Sequence, residues 1–372
     1  MTPEDRAWEV VRRAFEERTP APRRGRAAHR AALAALAVAG AVVAAVLSPP
    51  GHAVFEQVRR AVGVEHASPA LLSLPAPGKL LVLSSDRGGT WIVDADGARR
   101  RIGAWQYASW SPHGRFVVAA NRDELVALDP EGHVRWTLAR RDVAWPVWEG
   151  TDVDTRIAYR AASGLRVVAG DGTDDRLLDA HAADEPAAWD PARLHTLAYE
   201  SGGDVVLQQV DTRRVLWRTP VRTQGTLVWS SDGERVAVVA PHRVTVLDRR
   251  GRTVRWIASL SGELLDAAFE PGTHRLAVEA RYERPSGRRS EVRLVDVDRP
   301  GHARLLFAGP GAFGDIVWSP NGEWLLVDWP TANQWVFLHG SRVHAVANVE
   351  QQFPRPDRLG PVFELANRWC CG

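Results

Sequence analysis

Few residues in this chain are of types and spacings that could do chemistry. Asp171, Thr173 and Asp175, in AGDGTDD, fall at alternate positions, as ligands in a calcium loop can. Yet VDADGARRRI, from Val93, occupies the corresponding place in an earlier repeat without such a cluster, so the stretch reads as a turn between strands. Cys370 and Cys371 are the only cysteines. Two adjacent thiols cannot build a multi-bridge framework or, by themselves, a four-ligand zinc site. They read as a thiol pair near solvent or as a vicinal disulfide without catalytic duty. The 12 histidines show no HExxH or comparable ligand spacing. There is no GxSxG elbow and no phosphate-cradling glycine loop. The expectation is a chain with no catalytic residue, no metal site and no cofactor.

Charge excludes a further class. Forty-seven Lys+Arg stand against 45 Asp+Glu, a formal net charge of +2. So even a balance offers no clustered positive surface for nucleic acid. With 372 residues and 45% hydrophobic content, the chain is long enough to bury a large core.

The elements that would position any site are repeats. The phrase WSPNGEWLLVD from Trp318 recurs as WSPHGRFVVAA from Trp110, WDPARLHTLAY from Trp189, WSSDGERVAVV from Trp229 and FEPGTHRLAVEA from Phe269, with a looser copy from Trp148. The aromatic anchors Trp110, Trp148, Trp189, Trp229, Phe269 and Trp318 are separated by 38, 41, 40, 40 and 49 residues. The long step contains RYERPSGRRSE, Arg281 to Glu291, a polar hairpin extension. A period near 40 with several short strands is the pattern of propeller blades. Within a unit, Ser-Pro-x-Gly makes a tight turn after the anchor. The returning strand is apolar on successive residues, as a strand covered on both faces must be. The third strand, as in ELVALD, is expected to alternate, and an outer strand carries Trp136, Trp217 or Trp256. A partial unit from Leu80 lacks its opening strand, and FELANRW near the carboxyl end could supply it. The fold class is therefore all-β, a propeller of six to seven blades over residues 79–372, in which the anchors are structural.

WSPNGEWLLVD and WSSDGERVAVV resemble the WSPDGxxLA repeats of the TolB-like, WD40-like bacterial propellers, from about Leu80 to the end. That resemblance implies a packing role for the motif residues. ALDPEGHVRW and QVDTRRVLW are similar to the repeats of quinoprotein-type propellers, a family with both scaffolds and enzymes. The similarity implies an alternative, a quinone-dependent dehydrogenase whose vicinal disulfide packs on the cofactor. Against it, Cys370 and Cys371 lie at the tip of the chain and no calcium-binding constellation accompanies them.

The amino-terminal residues predict a different environment. In residues 1–30, Trp8, Val11 and Phe15 recur at helical intervals in PEDRAWEVVRRAFEER, followed by a basic tether. Residues 31–48, AALAALAVAGAVVAAVLS, carry no charge and are long enough for a single transmembrane helix. A cleaved signal peptide is the alternative. Arg23, Arg24, Arg26 and Arg30 place the amino end in the cytoplasm. Residues 49–78 then form a juxtamembrane helix and linker to an extracytoplasmic propeller. This order of parts resembles actinobacterial single-span proteins of anti-sigma-like layout. The leading expectation is a non-enzymatic, membrane-anchored binding or scaffold module for an unknown protein or envelope ligand. The alternative is a transmembrane regulator whose cytoplasmic helix, through Trp8, Val11 and Phe15, holds a sigma-factor-like partner.

Overall fold

The computed structural model describes residues 73–84, 89–149, 154–221, 223–258, 262–285, 287–299, 301, 303–353 and 365–371. The expected cytoplasmic helix with Trp8, Val11 and Phe15, the apolar segment 31–48 and most of the linker lie outside the described residues. Among the described residues, no helix is long and apolar enough to cross a membrane.

Among the described residues, twenty-eight strands form seven antiparallel sheets of four strands each, which gives seven blades. Blade 1 contains β1 (Lys79–Ser84), β2 (Gly89–Val93) and β3 (Arg99–Gly103). Blade 2 is β4 (Tyr107–Trp110), β5 (Val117–Asn121), β6 (Glu124–Leu128) and β7 (Val134–Ala139). Blade 3 is β8 (Ala144–Trp148), β9 (Arg156–Ala161), β10 (Gly164–Ala169) and β11 (Arg176–Asp179). Blade 4 is β12 (Ala188–Trp189), β13 (Thr196–Ser201), β14 (Asp204–Gln209) and β15 (Arg214–Pro220). Blade 5 is β16 (Thr226–Trp229), β17 (Arg235–Ala240), β18 (Arg243–Asp248) and β19 (Thr253–Ala258). Blade 6 is β20 (Glu263–Phe269), β21 (Arg275–Arg284), β22 (Gly287–Asp296) and β23 (Arg304–Pro310). Blade 7 is β24 (Ile316–Trp318), β25 (Leu325–Trp329), β26 (Gln334–His339) and β27 (Arg342–Ala347), followed by a one-turn helix, α1 (Val349–Gln352). The last strand, β28 (Leu365–Cys370), returns to blade 1 and pairs with β1 from Lys79↔Cys370 to Ser84↔Leu365. The carboxyl-terminal strand thus completes the first blade and closes the ring, removing the edge that β1 would otherwise expose.

The local chemistry of each repeat follows from its first residues. The inner strand ends on the anchor, and the next residue is small or acidic: Ser111, Glu149, Asp190, Ser230, Glu270 or Ser319. All six are buried. Where this residue is Ser, its hydroxyl accepts the backbone N–H five residues on, at 2.8 Å from Phe116, 2.9 Å from Arg235 and 3.0 Å from Trp324. The turn is therefore closed by a side chain as well as by backbone. The returning strand is buried along nearly its whole length, as in β13 and β17. The third strand departs from the expected alternation, since β6 is buried from Leu125 to Leu128. Neighbouring blades cover both its faces as well, so its polar residues are pushed to the ends. Only the outer strands, such as β7 and β15, are largely open to solvent.

The tryptophans join one blade to the next. The indole N–H of Trp110 donates to the carbonyl of Arg368 at 3.1 Å, Trp189 to Val147 at 3.0 Å, Trp229 to Ala188 at 3.2 Å and Trp318 to Ala268 at 3.1 Å. Each acceptor precedes the anchor of the preceding blade, which identifies Trp369, at the end of β28, as the seventh anchor. Outer strands repeat the device. Arg100 donates to the Pro130 carbonyl, Trp136 to Gly170, Trp217 to Arg249 and Arg255 to Arg299. Trp256 lies 65% exposed, with the Arg243 guanidinium 5.5 Å from its ring centroid.

Candidate functional site

Each inner strand begins at one end of the ring, here called the entry mouth, and ends on its anchor at the other, the anchor face. The long β21–β22 hairpin extends beyond the entry mouth, because its extra pairs run from Ala280↔Glu291 to Arg284↔Gly287. Ion pairs stiffen it: Arg288 with Glu283 at 2.7 Å, and Arg293 with Glu291 at 2.7 Å.

Aligning the blades on their anchors places one inner-strand residue, three before the anchor, at the entry mouth opposite a residue of the second strand. In blades 1, 2 and 5 this pair is Ala366/Leu83, Tyr107/Ala120 and Thr226/Val239. In blade 6 it is Asp266/Glu279. In blade 7 the same place holds Asp315 and Asp328, joined through the Asp328 N–H to the Asp315 carbonyl at 3.0 Å. Two adjacent blades thus carry paired acids; at the second-strand place blade 3 carries Arg160 and blade 4 Glu200, while blades 1, 2 and 5 carry apolar residues. An Asp266 oxygen accepts the Ile316 N–H at 3.0 Å, tying blade 6 to blade 7. Arg368 of β28 donates to Asp315 at 3.0 Å, tying blade 7 to blade 1. Arg281 reaches Glu263 at 2.6 Å at the start of β20.

Glu279 and Asp266 are held far from their ordinary behaviour. Glu279 is 1% exposed, and its Oε1 has no hydrogen-bond partner. Loss of water pushes it up to about 9, with the charges of Asp266 and Asp315 adding to the effect. Burial, then the neighbouring Asp315, also raises Asp266. In blade 4, Glu200 is raised to about 7 by burial, although it accepts the Gly225 N–H at 3.1 Å. At neutral pH the mouth therefore stores protons on Glu279. On its opposite rim, Tyr107 and Trp145 pack at 4.6 Å.

The residues singled out in the sequence have other duties. Asp171 accepts the N–H and hydroxyl of Thr173 at 3.0 and 2.7 Å, closing its own turn. Asp175 accepts the Tyr159 hydroxyl at 2.7 Å, two bonds from Arg166 and further bonds from Arg140. Burial alone would raise Asp175, but those bonds hold it below the usual carboxylate range. The three residues act as a turn and a blade clamp. Cys370 and Cys371 form a disulfide. It packs on the turn of blade 2, where a Cβ on Gly114 would lie 2.5 Å from Cys371 Sγ and where φ is +62°. The six anchors all lie at inner-strand ends. Trp369, Asp266, Glu279, Asp315 and Asp328 were not singled out; the anchor alignment is the signal that finds them.

No protein-family model matches the chain, and no curated protein matches it. Similar solved structures include Kuenenia stuttgartiensis hydrazine synthase, with 12% identity, TM-score 0.50 and coverage of 62% of this chain and 75% of that one. The β-propeller domain of Cps50 (Swd1) from Myceliophteria thermophila matches with 12% identity, TM-score 0.51 and coverage of 68% and 87%. Hsv2p of Kluyveromyces lactis matches with 12% identity, TM-score 0.51 and coverage of 70% and 88%. At such identities the likeness concerns the fold: a seven-bladed β-propeller with WD40-type structural neighbours.

Proposed function

We propose that this chain is a non-enzymatic binding module that seats a cation-bearing partner at the entry mouth of its propeller. The observation that carries the proposal is the acid pair repeated in blades 6 and 7. Burying carboxyls is costly even where they accept hydrogen bonds, and folding alone would be served better by an apolar residue such as Val239 at the same place in blade 5. A guanidinium or ammonium group from a partner would release the stored protons and complete the site. The test is calorimetric titration of the full chain with octa-arginine and octa-glutamate peptides at matched ionic strength. Octa-arginine is expected to bind, and Asp315→Asn to weaken it by about tenfold, the scale of one charge-assisted contact. The exposed Asp123→Asn on the same face should have little effect. Equal losses in both variants would leave only diffuse charge attraction and end the proposal.

We further propose that residues 31–48 anchor the propeller outside the cell with residues 1–30 in the cytoplasm. The disulfide at the end of β28 supports an oxidising compartment. A carboxyl-terminal alkaline phosphatase fusion should be active; an inactive fusion refutes the placement. The amphipathic pattern of Trp8, Val11 and Phe15 favours a second reading, an anti-sigma-like regulator. Capture of a sigma-type factor by the full chain, lost on Trp8→Ala with Phe15→Ala, would establish it.

A further inference from the structure

A second concave site lies on the anchor face, between blades 2 and 3. It has a volume of about 590 Å³, within the roughly 300–1,000 Å³ of small-molecule sites. Three aromatic side chains line it: Phe116, Trp136 and Trp148. Phe116 and Trp148 lie near-parallel, 15° apart, with centroids separated by 6.1 Å. Trp136 is fixed by its bond to the Gly170 carbonyl at 3.0 Å. Trp148, like the anchor Trp369, has an Nε1 without an acceptor. Gly170 lets Thr155 and the Trp148 ring close on the backbone, since a Cβ there would lie 2.1 Å from the Thr155 hydroxyl and 3.3 Å from the ring.

The charges at this groove are unequal. Arg135 is held by Asp129 at 2.9 Å, and Asp171 directs Oδ1 into its own turn. Arg115 is exposed and has no ion-pair or hydrogen-bond partner among the described residues. The related groove between blades 4 and 5, about 430 Å³, also holds a guanidinium, Arg250, without a side-chain partner among the described residues, but its one aromatic is Trp217. There Arg193 faces Asp190 at 3.7 Å, and Arg249 pairs with Glu234 at 2.8 Å. Only the first groove combines three aromatic faces with an uncommitted guanidinium.

We propose that the groove between blades 2 and 3 binds a small carboxylic acid with a ring-shaped body. The ring lies against Phe116, Trp136 and Trp148, and the carboxylate meets Arg115. Stacking supplies the area and the planar guanidinium supplies the charge recognition. An aromatic acid and a sugar acid share this chemistry.

The experiment uses 2-naphthoate, glucuronate and the neutral 2-naphthalenemethanol as probes, titrated into the full chain by calorimetry and followed by saturation-transfer NMR. At least one acid is expected to bind, and the neutral alcohol to bind at least about tenfold more weakly than naphthoate. Arg115→Gln should abolish that preference without moving the thermal transition, and Arg115→Lys should restore part of it. Preference for naphthoate assigns an aromatic acid, and preference for glucuronate a sugar acid. Binding of neither acid, or equal binding to wild type and Arg115→Gln, overturns the proposal. Glu279→Gln should leave these titrations unchanged, so failure here is distinguishable from failure at the entry mouth.

Discussion

Replacing Glu279 by Gln removes a group that can ionise and keeps its shape. In the folded chain its carboxyl titrates near about 9, against 4.5 in its ordinary state. Between those values the native state holds a proton that the unfolded state gives up. Stability from this group is therefore full below pH 4.5 and is lost as pH rises toward 9. The slope is about 1.4 kcal/mol per pH unit, so the loss from pH 6 to pH 8 is about 3 kcal/mol. For a domain of this size that corresponds to roughly 5–10 °C in Tm. The Gln variant lacks this contribution, while Glu200 and Asp266 titrate in both proteins and largely cancel in the difference. The assay is thermal unfolding of the full chain, followed by tryptophan fluorescence from pH 5.5 to 9 at constant ionic strength. The advantage of Glu279→Gln over the wild type is expected to grow by several degrees from pH 6 to pH 8. Parallel curves across the range would show that Glu279 ionises as freely as a surface carboxyl, and the description of a proton-storing mouth would be wrong.

Three other perturbations test the frame around the site. Trp318→Phe removes the indole bond to the Ala268 carbonyl and should cost about 1–3 kcal/mol in denaturant unfolding, with little change in circular dichroism. Asp175→Ala strands Arg166 and the Tyr159 hydroxyl in a buried clamp and should cost about 3–5 kcal/mol, whereas added calcium should leave the wild-type transition unmoved. Ending the chain before Leu365 bares the inner edge of β1, and size-exclusion chromatography should show self-association that the full chain lacks.

The ring was legible in the sequence because its turn chemistry is local. A Ser, Asp or Glu beside six of the anchors, and in several copies a Pro and a Gly after it, state where a hairpin folds back, and those signals repeat. Trp369 escaped notice because no Ser-Pro-x-Gly follows it; its role comes from pairing with residues nearly a full chain length away. The third strands misled for a different reason. Alternation in ELVALD reflects polar ends, while the burial of Leu125 to Leu128 is decided by neighbouring blades that no local pattern reveals. Asp266 and Glu279 each look like an ordinary polar residue in a strand. Only the register, which sets them across from one another and beside Asp315, turns them into a site.

Blades 2 to 7 are each built from consecutive hairpins, so they can form as the chain emerges. Blade 1 cannot: β1 is made early, and its inner neighbour β28 is made last. Until then β1 presents an open backbone edge, and contacts this distant in sequence are slow to form. Biogenesis therefore has a vulnerable interval that ends only when the final strand docks. A cell making this protein in quantity should need a holding factor during that wait, and its load should rise when translation of the last blade is slowed.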